Sequence, residues 1–116
     1  AVVCGAGGYD EVTPIGPAEA LLLNDGKLSP LHLDPADYGI RPCREEDLTV
    51  RDKAEAVAVV RELLEGRGKQ AMLDMVTLNV ALGVFLLEED MDMALCVARA
   101  REAVMAGVGR RVVNAA

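Results

Sequence analysis

The hydrophobic period changes once along this chain, near residue 52, and that change limits what it can fold into. Before it, apolar residues come in short runs separated by Gly, Pro, Asn and Asp; after it, they recur every three or four residues. Short runs bounded by turn residues read as strands, and the later spacing reads as helices with one apolar face. The 116 residues are therefore expected to be α/β, with a strand and hairpin half over residues 1–50 and three helices over residues 52–107.

The first half carries its own punctuation. Ala20-Leu21-Leu22-Leu23 and Lys27-Leu28-Ser29-Pro30-Leu31-His32-Leu33 flank Asn24-Asp25-Gly26, and Asp-Gly between apolar runs is a strong hairpin signal. Pro30 lacks an N–H for a sheet ladder, which confines its strand to an edge or a bulge. Asp34, Pro35 and Gly39 read as the cap, first residue and stop of one helical turn, and Glu45 to Asp47 form an acidic stretch leading into the helices. In the second half, Asp52 can cap a helix over residues 52–65 with Ala56, Val57, Val60, Leu63 and Leu64 on one face, ended by Gly66. The stretch from Gln70 to Leu87 is apolar on nearly every side and reads as a central helix buried by its neighbours. An Asp inside 18 residues makes a membrane span the poorer reading, since a span takes about 20 apolar residues. Glu88, Glu89, Asp90 and Asp92 are expected at the start of a third helix, whose buried stripe is Met93, Val97, Ala100 and Val104 and whose end is Gly107. Arg110-Arg111-Val112-Val113 is too short to assign.

The chain opens on Val2-Val3-Cys4-Gly5-Ala6-Gly7-Gly8-Tyr9, followed by Asp10 and Glu11. An apolar run breaking into glycines reads as a buried strand entering a loop where the backbone must turn or approach something closely. Adjacent carboxylates at the end of such a loop repel each other. A hard divalent cation sharing them with waters and a substrate's phosphates relieves that, and a solvated turn relieves it too; the local residues leave both open. The glycines lack the Lys and Ser/Thr of a P-loop.

Composition excludes several classes. A net charge of −7 argues against a general nucleic-acid binder, whose footprint is basic. Cys4, Cys43 and Cys96 are widely spaced, without a CxxC, and His32 is the only histidine; structural zinc and a disulfide framework are not expected, and a reducing, cytoplasmic compartment fits. No signal peptide is visible. A Cys-His nucleophile pair is not supported. Asp74 and Asn79 read as structural polar groups within a helix, Asn79 tying it to a neighbouring loop. The five methionines read as core filling.

The residues quoted above also occur in a recognisable order. Val3-Cys4-Gly5-Ala6-Gly7-Gly8-Tyr9-Asp10-Glu11-Val12 resembles the strand-loop segment of the anthranilate phosphoribosyltransferases, which have a Val-His-Gly-x-x-Gly-x-Asp-Glu pattern. Gly16-Pro17, the Asn24-Asp25-Gly26-Lys27 hairpin, Leu33-Asp34-Pro35-Ala36-Asp37-Tyr38-Gly39, Ala54-Glu55, Leu64-Glu65-Gly66 and Asp74-Met75-Val76-Thr77-Leu78-Asn79 follow in sequence. The resemblance covers nearly the whole chain but about the last third of that family's usual length. Three departures stand out: Cys4 replaces the usual His, Gly7 a frequent Asp, and Leu73 an Arg that commonly precedes the Asp matching Asp74.

The resemblance implies the C-terminal part of a mixed-sheet phosphoribosyltransferase domain, with 1–116 as a single piece. The family joins the amine of anthranilate to carbon 1 of phosphoribosyl pyrophosphate and releases pyrophosphate, a step of tryptophan biosynthesis. It also implies that Asp10 and Glu11 hold Mg2+, that no catalytic or cofactor-binding residue lies elsewhere in the chain, and that the full-length protein is a homodimer. The family's Gly-Thr-Gly-Gly-Asp loop, its Lys-His-Gly-Asn-Arg segment and its N-terminal helical domain are absent from residues 1–116. With Ala1 opening mid-strand, a fragment of a longer chain, inactive alone, is expected. The alternatives are a non-catalytic phosphoribosyltransferase-like binding protein, of which Cys4 and Gly7 would be marks, and a small helical interaction module. The state of the phosphate loop in the full reading frame discriminates among the three.

Overall fold

The computed structural model describes residues 1–88 and 90–116, which form two compact units, Ala1–Cys43 and Arg44–Ala116.

The first unit is a three-stranded antiparallel sheet in the order β1 (Val2–Cys4), β2 (Ala18–Asn24), β3 (Lys27–Leu33). Asp25 and Gly26 turn the hairpin with φ of 48° and 73°, the doubly positive signature of the two-residue turn whose twist matches paired strands. Asn24 pairs with Lys27, Leu21 with Pro30 and Ala18 with Leu33. Pro30 thus lies on the edge strand, as its missing N–H requires. Residues of alternate parity point to opposite faces: Ala18, Ala20 and Leu33 are buried on one, while Val2, Leu21, Leu23 and Leu28 are exposed on the other. The expectation of a buried first strand is therefore corrected. Val2 is 75% exposed, Cys4 is exposed and Val3 is half-buried, because β1 is a three-residue edge paired on one side to β2. A 3-10 turn, Pro35–Tyr38, follows β3; Asp34 caps it by accepting the Ala36 N–H at 3.0 Å, and Gly39 closes it.

The second unit is helical: α1 (Lys53–Leu64), α2 (Gln70–Leu87), α3 (Met93–Met105) and α4 (Val108–Ala115). A 3-10 turn, Glu45–Asp47, precedes them. Asp52 accepts the Glu55 N–H at 2.8 Å and Asp92 accepts the Leu95 N–H at 2.8 Å, so both helices begin on a carboxylate cap. The end of α1 docks by backbone: at Gly66, with φ of 72°, a Cβ would fall 2.5 Å from the Met105 carbonyl oxygen. Only glycine fits a left-handed residue at that approach. Glu65 then pairs with Arg67 and, at 2.8 Å, with Arg110, which ties α1 to α4.

Helix α2 has the bounds the sequence predicts and packs mainly along α3. Its length and composition would also suit a membrane span. Met72, Leu73, Leu78, Ala81 and Leu82 are instead buried against protein, while Val80, Leu86 and Leu87 remain exposed. Burial on all sides is thus corrected: the covered face is the one toward α3. The α3 stripe is Met93, Val97, Ala100 and Val104 as expected, with Cys96 added.

Three further expectations change. No residue of α1 is fully buried, and Val57 and Val60 are 44% and 53% exposed. Helix α1 touches α2 sparingly and leaves a cavity of about 400 Å3 lined by Val60, Leu63, Leu64, Val76, Val80, Ala103, Val104, Val108 and Gly109. The helices number four among the described residues: α4 begins after the left-handed Gly107 without a capping side chain, so nothing in its sequence announces it. Finally, Glu88 closes α2 and Asp90 lies in a turn, so of the acidic group only Asp92 starts α3; Glu89 lies outside the described residues.

Candidate functional site

The acidic pair sits on a loop that doubles back to the end of β1. The Gly5 N–H donates to the Tyr9 carbonyl at 2.8 Å, and the Gly8 N–H donates to the Gly5 carbonyl at 3.2 Å. Gly7 and Gly8 have φ of 79° and 82°, within a 3-10 turn at Ala6–Gly8. A Cβ on Gly5 would lie 2.0 Å from the Glu11 carbonyl oxygen. The close approach anticipated from the glycines is thus made by the chain to itself. Because the Gly5 and Gly8 N–H groups are used inside the loop, they are not free to cradle a phosphate.

Asp10 and Glu11 are exposed, and neither has an ion-pair partner among the described residues. Immediately after them the chain submerges: Val12, Thr13 and Pro14 are fully buried, and the Pro14 carbonyl accepts the Cys43 N–H at 3.0 Å. The two carboxylates therefore project from a short exposed stretch pinned on both sides. Hard oxygen donors of this kind fit a hard divalent cation and do not fit a soft one. They fit it only incompletely, since among the described residues no group of three or more His, Cys, Asp or Glu gathers as a metal cage. The remaining oxygens would have to come from water and a ligand.

Other candidates resolve into structural roles. Cys4, Glu19 and His32 line up across β1, β2 and β3. His32 pairs with Glu19 at 2.5 Å, which lifts its pKa above the ordinary 6.5 through that hydrogen bond and the carboxylate's charge. Cys4 and His32 stand two strands apart, roughly 9–10 Å by strand spacing, beyond any proton transfer. Cys96 is fully buried, and burial pushes its thiol pKa up, which makes it a poor nucleophile. Asp74 accepts from the Gln70 amide at 2.9 Å, and Asn79 donates to the Met75 carbonyl at 2.8 Å, one turn back in its own helix. Two features lay outside the sequence reading: the apolar cavity between the helices, and the buried hydroxyl of Thr13. An isolated Thr between Val and Pro was the only trace of the latter.

The chain belongs to the glycosyl transferase family, a/b domain, which matches residues 1–109. It is similar to the anthranilate phosphoribosyltransferase of Oleidesulfovibrio alaskensis, 46% identical over 115 residues that cover 99% of this chain and 35% of that protein. The enzyme of the same name from Nitratidesulfovibrio vulgaris is 48% identical over 120 residues, covering 99% and 36%. Among solved structures, the anthranilate phosphoribosyltransferase of Thermus thermophilus superposes with a TM-score of 0.81 at 27% identity, over 97% of this chain and 32% of that one. The Saccharomyces cerevisiae enzyme, solved in complex with PRPP and Mg, shares the fold with a TM-score of 0.77 at 22% identity, over 97% and 32%. The chain thus spans about a third of the length of the curated relatives it matches.

Proposed function

We propose that this chain is the C-terminal part of a transferase that moves the phosphoribosyl group of phosphoribosyl pyrophosphate to anthranilate and releases pyrophosphate. The observation that carries this reading is the 46% identity to an anthranilate phosphoribosyltransferase across 99% of the chain, with Asp10 and Glu11 exposed on the loop that matches the family's Asp-Glu pattern. The same reading makes the full-length protein a homodimer acting in the cytoplasm, where the thiols of Cys4, Cys43 and Cys96 would stay reduced.

Breaking the bond at carbon 1 leaves negative charge on the departing pyrophosphate. Magnesium, when bound, offsets that charge as a Lewis acid and orients the phosphates. Asp10 and Glu11 would hold it jointly with the diphosphate, because two carboxylates alone do not complete six oxygen positions. The loop's contribution is preorganisation: Gly5 fixes the backbone of Glu11 from one side and Val12, Thr13 and Pro14 anchor it from the other. Held this way, the carboxylates need little rearrangement as charge develops.

The test is direct. The Oleidesulfovibrio alaskensis enzyme with its matching third replaced by residues 1–116 is a full-length protein carrying this segment. It is expected to release pyrophosphate from phosphoribosyl pyrophosphate only when anthranilate is present. A folded protein that binds phosphoribosyl pyrophosphate without turnover would identify the segment as that of a non-catalytic relative.

A further inference from the structure

Gly5 follows β1 directly and is buried. The two carbonyls that bracket the acidic pair both converge on it. The Tyr9 carbonyl, just before Asp10, accepts the Gly5 N–H at 2.8 Å. The Glu11 carbonyl, just after the pair, has its oxygen 2.0 Å from where a Gly5 Cβ would stand, and the Tyr9 oxygen lies 3.3 Å from the same point. Conformation does not ask for glycine here: φ of −79° and ψ of 162° are extended values open to any residue. What the position excludes is a side chain. Gly8 is the opposite case, with a φ of 82° that favours glycine and no described atom within 4 Å of a Cβ placed there. One glycine makes room for the acidic arm, and the other lets the loop turn.

Asp10 and Glu11 are carried between those two carbonyls, so the seat of the carbonyls sets the backbone from which both carboxylates project. We propose that Gly5 is a positioning residue for the acidic pair: the space it leaves, together with its N–H, aims Asp10 and Glu11 before magnesium and diphosphate arrive. This deepens the reading of the pair given under Proposed function and rests on it. A methyl group at Gly5 would have to push the Glu11 carbonyl back by about 1 Å or more to reach a tolerable contact. A misplacement of about 1 Å can cost about 10²-fold in rate.

The full-length protein carrying this segment is compared with its G5A and G8A forms, using magnesium with inorganic pyrophosphate as the probe. G5A is expected to bind the probe about tenfold more weakly by calorimetry. It is also expected to need more magnesium for half-maximal phosphoribosyl transfer, with kcat lowered and KM for anthranilate unchanged. G8A is expected to unfold at a lower temperature, from the strain of a left-handed alanine, and to keep the parent's probe affinity. Should G5A fail to fold, hydrogen exchange in the parent decides. Without the probe, the Gly5 amide is expected to exchange slowly, because the arm is already held. Exchange there as fast as in an unstructured peptide would overturn the proposal. So would parent-like affinity in a folded G5A where D10N abolishes binding, or equal losses of affinity in G5A and G8A. A parent that does not bind the probe, or binding that survives both D10N and E11Q, would instead overturn the reading of the acidic pair, and the role of Gly5 with it.

Discussion

At the scale of single residues, the Glu19–His32 pair is one place where solution pH reaches the fold. The two lie opposite each other on β2 and β3, both exposed, joined by one short hydrogen bond. Pairing raises the pKa of His32 above 6.5. Its contribution to stability is therefore fully present below the unfolded value, near 6.5, and is lost as pH rises through the higher folded value. An NMR titration of the His32 ring is expected to give a midpoint above the ordinary histidine range, restored to that range by E19Q. A midpoint already ordinary in the parent would show that the pair does not persist in water. Legibility at this scale follows locality. The caps at Asp34 and Asp52 were readable because a cap is a bond to a neighbour two or three residues away. The burial of Thr13 and the row of Cys4, Glu19 and His32 were not, because they depend on which strands and loops meet.

Helix α2 shows the same division at the scale of an element. Its bounds were readable from a largely apolar stretch between Lys69 and Glu88. Its burial was not, because a helix apolar on nearly every side does not declare which face its neighbours cover. Leu78 is 3% exposed and Val80 is 39% exposed, only two residues apart. Leu78→Ala is expected to cost about 2–5 kcal/mol, while Val80→Ala should cost well under half as much in the same urea melt. Equal losses at the two positions would refute the assigned face. Helix α4 escaped the sequence reading for a different reason. It is eight residues long, starts after a left-handed glycine, and includes Gly109, whose Cβ would lie 2.7 Å from a Leu64 methyl carbon. Tertiary contact, rather than helix propensity, holds it.

At the scale of the whole molecule, 116 residues carry an acidic loop, a sheet with one apolar face exposed and, among the described residues, four helices around an open apolar cavity. The order of strands before helices, the hairpin and the position of the acidic pair were all legible, since each rests on short-range chemistry. What surrounds the exposed sheet face and the cavity was not, since it depends on surfaces that no local pattern encodes. The central claim is that Asp10 and Glu11 serve magnesium together with a diphosphate. The most direct measurement is the magnesium dependence of phosphoribosyl transfer in the full-length protein carrying this segment, compared with D10N and E11Q. Each substitution removes one negative charge with little change of shape. The account predicts turnover lower by about 10²-fold or more at low magnesium, partial recovery at high magnesium, and an unchanged unfolding transition. Magnesium dependence and rates identical to the parent in both variants would contradict it, and the acidic pair would then be a solvated turn.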